Sequence, residues 1–366
     1  MPIETPPETQ SPRMDSSSNQ STKSSVMSSE KLAFRRRWRH LSDKTAKVGI
    51  AVGGISVIVA ILLIFAYLFY EVVPLFAGAK VEPSSSYVLE DSSASLHLAI
   101  EEQSEMAMRL GNDGVARFFD LESGESVASI PISLPDQAQI TSFSLDSEES
   151  GLFALGLNTG EAVIARYAYD TRFAALDNRR ILTPKIEYPF GEVPYALTDD
   201  KALASIALRT SGENMVLAAT AEGGGLSLLK ASKQTSLFAA FDLGGGAECE
   251  IEEKRIDGVA LGGEQLFIDG DRFWLFVVND EGLARLLNLR SAFTATNPQF
   301  EVRALLTEGR ASPTDIAFLL GGISLLVADD QGAIAQWFLT RRDDTVALEK
   351  IRSFENSESP IVSLTP

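Results

Sequence analysis

Hydrophobic and polar positions change their pattern sharply along this chain. Residues 48–70 contain no Asp, Glu, Lys or Arg, and a helix of that length rises about 34 Å, enough to cross a bilayer core of about 30 Å. A cleaved signal peptide has an apolar region of only about 7–15 residues. A soluble core helix of this length without a polar stripe is rare. The segment therefore predicts a transmembrane helix that acts as a signal anchor.

The charges on either side of residues 48–70 predict the orientation of the helix. The preceding basic flank consists of Arg35, Arg36, Arg37, Arg39, Lys44 and Lys47. Only Glu71 and, later, Lys80 follow. Because cytoplasmic flanks carry the excess of Lys and Arg, we expect the N-terminus inside, with the basic flank near anionic lipid. Ser42 or Asp43 is expected to cap the helix and Pro74 to end it.

The segments around the helix differ in composition. Residues 1–34 are rich in Ser, Thr, Pro and Gln at their start and predict a disordered cytoplasmic tail. Residues 35–47 form a basic juxtamembrane segment, and residues 71–86 form a connector with proline, glycine and serine. The large domain is expected over residues 87–366, on the other side of the membrane.

From residue 87 onward, short apolar runs alternate with turns built on Gly, Asn and Asp, a pattern typical of strands and hairpins. Five such hairpins recur, with turn glycines Gly114, Gly160, Gly224, Gly282 and Gly332 at spacings of 46, 64, 58 and 50 residues. Propeller blades repeat at about 40–50 residues, with longer gaps for longer loops, whereas sandwiches do not repeat internally at this period. The prediction is a mainly β fold: a WD40/YVTN-like β-propeller with at least five blades, behind a single transmembrane helix.

The last residues, 359–366, resemble the first strand of a further repeat. Two interpretations stay open. Either this strand closes the ring with an N-terminal segment, or the chain is the front portion of something longer. An open ring would leave strand edges unpaired, which folded proteins avoid.

Charge and cysteine content narrow the classes of partner. The formal net charge is −18, yet residues 1–47 carry nine Lys/Arg and five Asp/Glu, which leaves residues 71–366 at about −22. So acidic a domain is a poor partner for nucleic acid. The single cysteine, Cys249, cannot form an intramolecular disulfide. Neighbouring carboxylates should raise its pKa, so a reactive thiol is not expected.

Catalytic and metal-binding motifs are missing from the sequence. There is no P-loop, no H-E-x-x-H, no C-x-x-C and no G-x-S-x-G. The histidines are His40 and His97, and a catalytic or zinc site would rest on His97 alone, whereas zinc needs three or four ligands. The acidic turns at residues 112–114, 269–271 and 329–330 lack calcium-loop spacing. The chain is expected to be no enzyme and to hold no metal or cofactor.

Two further groups of side chains are candidates for binding. Arg117, Arg166 and Arg285 recur on the strand after the turn, either as an anion-binding ring or as a solvent-facing position. The acidity of the domain favours the second interpretation. The aromatic residues fit packing between blades better than a ligand cage; they are Phe118, Phe119, Trp274, Trp337 and Phe338.

The segment from residue 35 to 76 resembles a known family. Its features are Arg39-His-Leu-Ser-Asp43-Lys44, then Gly53-Gly54 inside the apolar run, then Tyr70-Glu-Val-Val-Pro74-Leu-Phe76. This looks like the opening of the long proteobacterial form of the phosphate ABC transporter permease subunit, of the PstC type. In that family a large periplasmic, propeller-like domain follows the first helix, and the permease helices come after it.

The resemblance implies the N-terminal part of an inner-membrane permease for inorganic phosphate. Its partners would be inner-membrane lipid, a second permease subunit, an ATPase subunit and the periplasmic phosphate-binding protein. The family's remaining helices and its ATPase-docking loop are absent from these residues. An independent membrane-anchored propeller that serves as an envelope scaffold is the alternative. A periplasmic propeller enzyme is a third, which no catalytic motif in the sequence supports.

Overall fold

The computed structural model describes residues 29–76, 86–88, 92–175, 179–221, 224–233, 249–256, 264–309, 311–319, 321–342, 345–354 and 357–364. Most of the tail expected over residues 1–34, and residues 77–85 of the connector, therefore lie outside the described residues. The chain divides into two compact units, Met1–Ser84 and Ser85–Pro366.

The first unit contains one long helix, α1 (Ser29–Val72), followed by a 3₁₀ turn (Val73–Phe76). Its 44 residues rise about 66 Å at about 1.5 Å per residue. The stretch Lys44–Val72 has a mean hydropathy of 2.8 and is long and apolar enough to cross a membrane. The helix ends two residues before Pro74, since a proline ring cannot continue the α-helical pattern.

The expected N-cap at Ser42 or Asp43 is wrong, because α1 begins at Ser29. Residues 30–47 contain neither proline nor glycine and many good helix formers, so nothing interrupts the helix before the apolar run. The carbonyl of Ser42 instead accepts a hydrogen bond from Thr45 Oγ1 at 3.0 Å, within the helix.

Among its described residues, the second unit contains five antiparallel sheets, each with four consecutive strands, and one of them has a short fifth strand as well. We number these sheets blades 1 to 5. Blade 1 contains β1 (Ser95–Ile100), β2 (Met106–Gly111), β3 (Val115–Asp120) and β4 (Ser126–Pro131). Blade 2 contains β5 (Ile140–Leu145), β6 (Leu152–Leu157), β7 (Glu161–Phe173) and β8 (Arg180–Glu187), with β9 (Tyr195–Ala196) also paired to β7.

The other three blades repeat this order. Blade 3 contains β10 (Leu203–Ser211), β11 (Asn214–Ala221), β12 (Leu226–Lys233) and β13 (Cys249–Ile256). Blade 4 contains β14 (Gln265–Ile268), β15 (Trp274–Val278), β16 (Leu283–Asn288) and β17 (Phe300–Leu305), with the short helix α2 (Leu289–Thr294) between its last two strands. Blade 5 contains β18 (Pro313–Phe318), β19 (Ser324–Asp329), β20 (Ile334–Arg342) and β21 (Thr345–Ser353).

Apolar side chains join each blade to the next. One buried cluster lies between blades 1 and 2, a second between blades 2 and 3, a third between blades 3 and 4, and a fourth between blades 4 and 5. Consecutive four-stranded blades with cores between them are the architecture of a propeller. The prediction of a mainly β propeller with at least five blades behind one N-terminal apolar helix is confirmed.

The first strand of four blades carries the same irregularity. Its pairing with the second strand shifts by one residue at Ser95/His97, Ile140/Ser142, Leu203/Ser205 and Pro313/Asp315. A bulge of this kind bends a strand and increases its twist. Its recurrence at one register shows that the repeat extends to the backbone geometry of the strand.

The expectation that residues 359–366 form the first strand of another repeat is not met in the described residues, which have no strand in 357–364. These residues instead follow the path of the linkers between blades. The amide of Ser357 donates to the carbonyl of Gly332 at 2.8 Å, as Ile132 does to Gly114 at 2.8 Å and Leu306 does to Gly282 at 2.8 Å. The amide of Ile361 likewise donates to the carbonyl of Asp329 at 3.4 Å, so this segment lies along the turn of blade 5.

Candidate functional site

The five turn glycines lie between the second and third strands of their blades. Their φ angles are all positive: 75° at Gly114, 86° at Gly160, 99° at Gly224, 77° at Gly282 and 82° at Gly332. Each amide donates to the carbonyl three residues earlier, at 2.9–3.2 Å. Glycine adopts this left-handed conformation without the steric penalty of a side chain. These residues therefore shape the hairpins.

A second turn residue ties three of the hairpins to the start of their own blades, and the sequence pattern did not reveal it. The amide of Ala94, just before β1, donates to Asn112 Oδ1 at 3.2 Å, while the amide of Asn112 donates back to the Ala94 carbonyl at 2.8 Å. Asn158 does the same with Gln139, and Asp330 with Ser312. The available signal is an Asn or Asp two positions before the glycine.

The recurring arginines do not form an anion-binding ring. Arg117 contacts Asp113 with both terminal nitrogens, and its Nη2 lies 2.6 Å from Asp113 Oδ2. Arg285 lies 3.1 Å from Glu264, and Arg166 lies 2.9 Å from Glu187. Each guanidinium therefore already forms an ion pair with a carboxylate of the same blade or of the segment just before it.

The strand register also places Arg166 differently from the other two arginines. Arg117 pairs with Arg109, two residues before the turn, and Arg285 pairs with Val277 at the equivalent place. Arg166 pairs with Leu152, three residues farther from its turn. Arg117 and Arg285 therefore occupy equivalent positions in their blades, whereas Arg166 does not.

The acidic turns use their carboxylates on the backbone. Asp269 accepts from the amides of Phe273 at 2.8 Å and Trp274 at 3.0 Å, and Asp329 accepts from Gln331 at 3.0 Å and Ala333 at 2.8 Å. Within the described ranges, no group of three or more His, Cys, Asp or Glu side chains could hold a metal ion.

His97 and Cys249 lie at the packing between elements. The imidazole of His97 stacks on Phe143 of blade 2, and its Nε2 lies 3.6 Å from Glu148 Oε2. Burial lowers the pKa of His97, although Glu148 opposes this effect. Cys249 begins β13, and burial, rather than the neighbouring carboxylates that we expected, raises the pKa of its thiol.

Ion pairs and hydrogen bonds connect the first three blades to one another. Arg180 of blade 2 contacts Glu101, which follows β1, and the Arg180 hydrogen bond lowers the pKa of that carboxyl. Asp146 follows β5, and its carboxylate accepts two hydrogen bonds from Thr210 of blade 3. One comes from the Thr210 amide at 2.8 Å and the other from the Thr210 hydroxyl at 2.6 Å. These contacts join neighbouring blades.

The aromatic residues fit packing roles. Phe118 is fully buried, and its ring meets Tyr169 of blade 2 edge-on at 5.8 Å. Trp274 is buried in the cluster between blades 4 and 5, against which Trp337 also packs, and Phe338 is half-buried. Phe119 lies on the other side of blade 1, where Tyr87 meets it at 5.9 Å.

The basic flank belongs to α1. Arg35, Arg36, Arg37 and Arg39 are within the helix, but their side chains lie outside what the structure describes. Lys44 and Lys47 are exposed. A helix that carries basic residues at the start of its apolar run suits an anionic lipid surface.

One face of blade 1 is the candidate interaction surface. We call the side of a blade that turns towards the preceding blade its leading face, and the opposite side its trailing face. The leading face of blade 1 carries Leu98 and Ile100, exposed to 60% and 61%, beside the buried Arg109. A cleft of about 610 Å³ adjoins it, lined in part by Tyr87, Arg117 and Phe119. A surface of this kind can bind a macromolecule, and it lacks a cluster suited to acid–base chemistry.

Comparisons with known proteins add little to this picture. No family model matches the chain, and no curated protein matches it. Among solved structures, the chain is similar to the β-propeller domain of Cps50 (Swd1) from Myceliophteria thermophila, with a TM-score of 0.43, 11% identity and 73% of each chain covered. It is also similar to a protein of unknown function from Bacteroides caccae, with a TM-score of 0.37, 14% identity and 68% of this chain and 72% of that chain covered.

A third similar structure is U3-55K, with a TM-score of 0.36, 10% identity and 72% of this chain and 83% of that chain covered. Because all three TM-scores are below 0.5, these similarities support no conclusion about this chain. The assignment of the fold rests on the five blades themselves.

Proposed function

We propose that this protein is the N-terminal part of a phosphate-type ABC transporter permease, in which the propeller acts as a docking module. The supporting observation is the run from Arg39 to Phe76, which resembles that family and is followed in the chain by a propeller. The run lies in α1 and in the 3₁₀ turn that directly follows it.

In this proposal the N-terminus is cytoplasmic, α1 crosses the inner membrane and the propeller is periplasmic. The basic flank of α1 contacts inner-leaflet lipid, which accords with the positive-inside rule. Candidate partners for the rest of the assembly are the second permease subunit, the ATPase subunit and the periplasmic phosphate-binding protein. Nucleic acid is not among the partners, because the propeller is strongly acidic.

The mechanism is binding without catalysis. The charged side chains that we describe mostly form contacts within turns and between blades. The leading face of blade 1 also exposes the apolar side chains of Leu98 and Ile100. Among the described residues a single helix could span a membrane, so a phosphate pathway needs helices from additional polypeptide. The propeller would then position the solute-binding protein or another subunit near that pathway.

The test is affinity purification of the tagged protein from its native membrane, followed by mass measurement and crosslinking. We expect an ATPase subunit and a second permease subunit to co-purify, with the residues of this chain recovered in a species heavier than 39.6 kDa. Recovery at 39.6 kDa without an ATPase would refute the permease assignment and favour an independent membrane-anchored scaffold.

Orientation is tested separately by cysteine labelling in a Cys249→Ser background. A cysteine placed at Val193, which is exposed in the propeller, should react with a membrane-impermeant maleimide in intact cells whose outer membrane has been permeabilised. A cysteine at Lys44 should react only after the inner membrane is opened. The reverse pattern would contradict the proposed topology.

A further inference from the structure

The third strand of blade 2 is longer than the third strands of the other blades. The last residue of β7 is 13 positions after the turn glycine of its blade, against ten for β20, nine for β12 and six for β3 and β16. β7 stays paired with β8 up to its last residue. Because each residue of a strand rises about 3.3 Å, this hairpin extends about 10–23 Å farther than the other third strands. We call its outer part, the described residues 171–175 and 179–182, the arm.

The arm reverses the charge of the domain that carries it. Residues 171–182 contain three arginines and one aspartate, whereas residues 71–366 together have a net charge of about −22. The other long hairpin, between β20 and β21, does not share this property, because residues 341–344 contain two arginines and two aspartates. The excess of positive charge is therefore particular to the arm and suits an anionic partner.

Both faces of the arm carry an arginine beside a large apolar side chain. Arg172 pairs with Ile181 across the hairpin, and Phe173 pairs with Arg180. Partners across a hairpin share a face, and successive pairs take opposite faces. Phe173 is 63% exposed and Ile181 is 42% exposed, and Arg172 is exposed as well. The arm therefore presents basic and apolar groups on two sides at once.

The base of the arm is fixed to blade 1. Arg180 contacts Glu101, whose side chain is buried, and its Nη1 lies 3.4 Å from Glu105 Oε2. Arg180 is thus committed to holding the arm in place. Arg172 has no such ion pair among the described residues. Its guanidinium is the group of the arm that can bind an anion from outside the chain.

The chain from the helix reaches the propeller at the end where the arm projects. The ring of Tyr87 fills the space beside Gly124, where a Cβ atom would lie 2.5 Å from it. Gly124 lies in the turn between the third and fourth strands of blade 1, the same connection that forms the arm in blade 2. Glu105 links the two turns, since its carbonyl accepts from the Leu121 amide at 3.1 Å and its carboxylate contacts Arg180.

A lipid bilayer is the anionic surface that this chain can always reach. The stretch Lys44–Val72 is apolar enough to cross a membrane. Val72 and Tyr87 are 15 positions apart, a span of at most about 54 Å. Such a tether gives a high effective concentration, so weak contacts are enough for binding. Arginine pairs well with phosphate, and aromatic side chains are enriched at the level of the lipid headgroups.

We propose that the arm enters the headgroup region of the membrane that α1 spans and binds anionic phospholipid, with Arg172 on a lipid phosphate and Phe173 and Ile181 among the headgroups. The two-sided arrangement favours lipid over a protein partner, because a tip that enters an interface is surrounded on both faces. Repulsion of the acidic domain is screened within about 8 Å, less than the extension of the arm. The arm is thus a second attachment of the propeller to the membrane, and it depends on the membrane helix but not on the permease assignment.

The test uses the full chain in lipid nanodiscs, in a Cys249→Ser background. An environment-sensitive fluorophore is attached at Thr171→Cys, an exposed position of the arm, and the discs contain a nitroxide quencher in the headgroup region. With phosphatidylcholine and phosphatidylglycerol in equal parts, we expect strong quenching of this label. Quenching should be lost at Val193→Cys, which is exposed and lies just before β9. Because β9 pairs with the first residues of β7, this control is about 40 Å from the arm along the strand.

Equal quenching at the two positions overturns the proposal, as does the absence of quenching at Thr171→Cys. Quenching that is as strong in phosphatidylcholine alone would exclude recognition of anionic lipid and overturn it as well. The double variant Arg172→Glu, Phe173→Asp should abolish the quenching. Arg341→Glu makes the same change of charge at an exposed position of the β20–β21 hairpin and should leave the quenching unchanged. Retained quenching in the double variant refutes the assigned contacts.

A photo-crosslinker in place of Ile181 distinguishes lipid from protein in native membranes. We expect the crosslinked product to contain phospholipid, and the Arg172→Glu variant to lose it. A product that contains another protein instead of lipid would overturn the proposal. Because Arg172, Phe173 and Ile181 are exposed, circular dichroism of every variant should match that of the native chain.

Discussion

Replacing Phe118 with alanine tests whether the blades unfold separately. The Phe118 side chain is 0% exposed and packs edge-on against Tyr169 across the junction of blades 1 and 2. Truncation of a buried phenylalanine costs about 3–5 kcal/mol. At about 1.4 kcal/mol per tenfold change, local opening of these two blades should become at least about a hundredfold more frequent.

The effect should stay local, because each blade contacts only its neighbours and stability in such arrays is a sum of repeat and interface contributions. Hydrogen exchange of the full chain in detergent, read by mass spectrometry, should show faster exchange in β2, β3 and β6. Exchange in β15, β16 and β19 should be unchanged. Phe173→Ala is the matched control, since that ring is 63% exposed and its loss should change stability by no more than about 0.5 kcal/mol. Equal acceleration in all five blades would refute the reasoning.

Three further substitutions test other contacts. Burial lowers the pKa of His97 below its usual 6.5, so the unfolded chain binds more protons and the free energy of unfolding should fall as the pH falls through about 6.5. His97→Gln should therefore reduce the change in the urea midpoint between about pH 7.5 and about pH 5.5. A change as large as that of the native chain would contradict this. Gly114→Ala, at φ 75°, should cost about 1–2 kcal/mol and lower the melting temperature, whereas Gly49→Ala, in the helix, should not. Asp146→Ala removes the acceptor for the amide and hydroxyl of Thr210 and should cost about 1–3 kcal/mol in urea unfolding; a loss below about 0.5 kcal/mol would show that water replaces the carboxylate.

Sequence pattern predicted the fold well because its signals are local. A glycine such as Gly114, set between two apolar runs, specifies a hairpin from a few neighbouring residues, and five of these hairpins in series specify the propeller. The Asn and Asp side chains two positions earlier are readable in the same way, but their partners, such as Ala94, lie 18 residues upstream. Nothing local indicates that pairing.

The predictions that failed depended on partners that sequence does not show. Residues 359–366 have the composition of a strand, yet the described residues 357–364 form none and bond instead to the turn of blade 5. Ser42 is a good N-cap residue, yet a helix that is already propagating from Ser29 leaves it no end to cap. Arg166 shares its spacing with Arg117 only approximately, and the pairing register of β7 separates them.

The exposure of Leu98 and Ile100 was equally invisible in the sequence. Their pattern is that of any inner strand of the repeat, and apolar residues at these positions predict burial. Whether such residues are covered depends on what lies beyond the blade, and this becomes apparent only when all five blades are compared in space.

The strand order of the propeller has a consequence for how the protein is made. Each blade consists of four consecutive strands, so no blade waits for a strand from a distant region of the chain. Contacts that are close in sequence form quickly, and domains form from the N-terminus as synthesis proceeds. Blade 1 can therefore fold while blade 2 is still being synthesised, and each new blade then covers the exposed trailing face of the one before it. The propeller should assemble in the order of translation, with an incomplete ring at every intermediate stage.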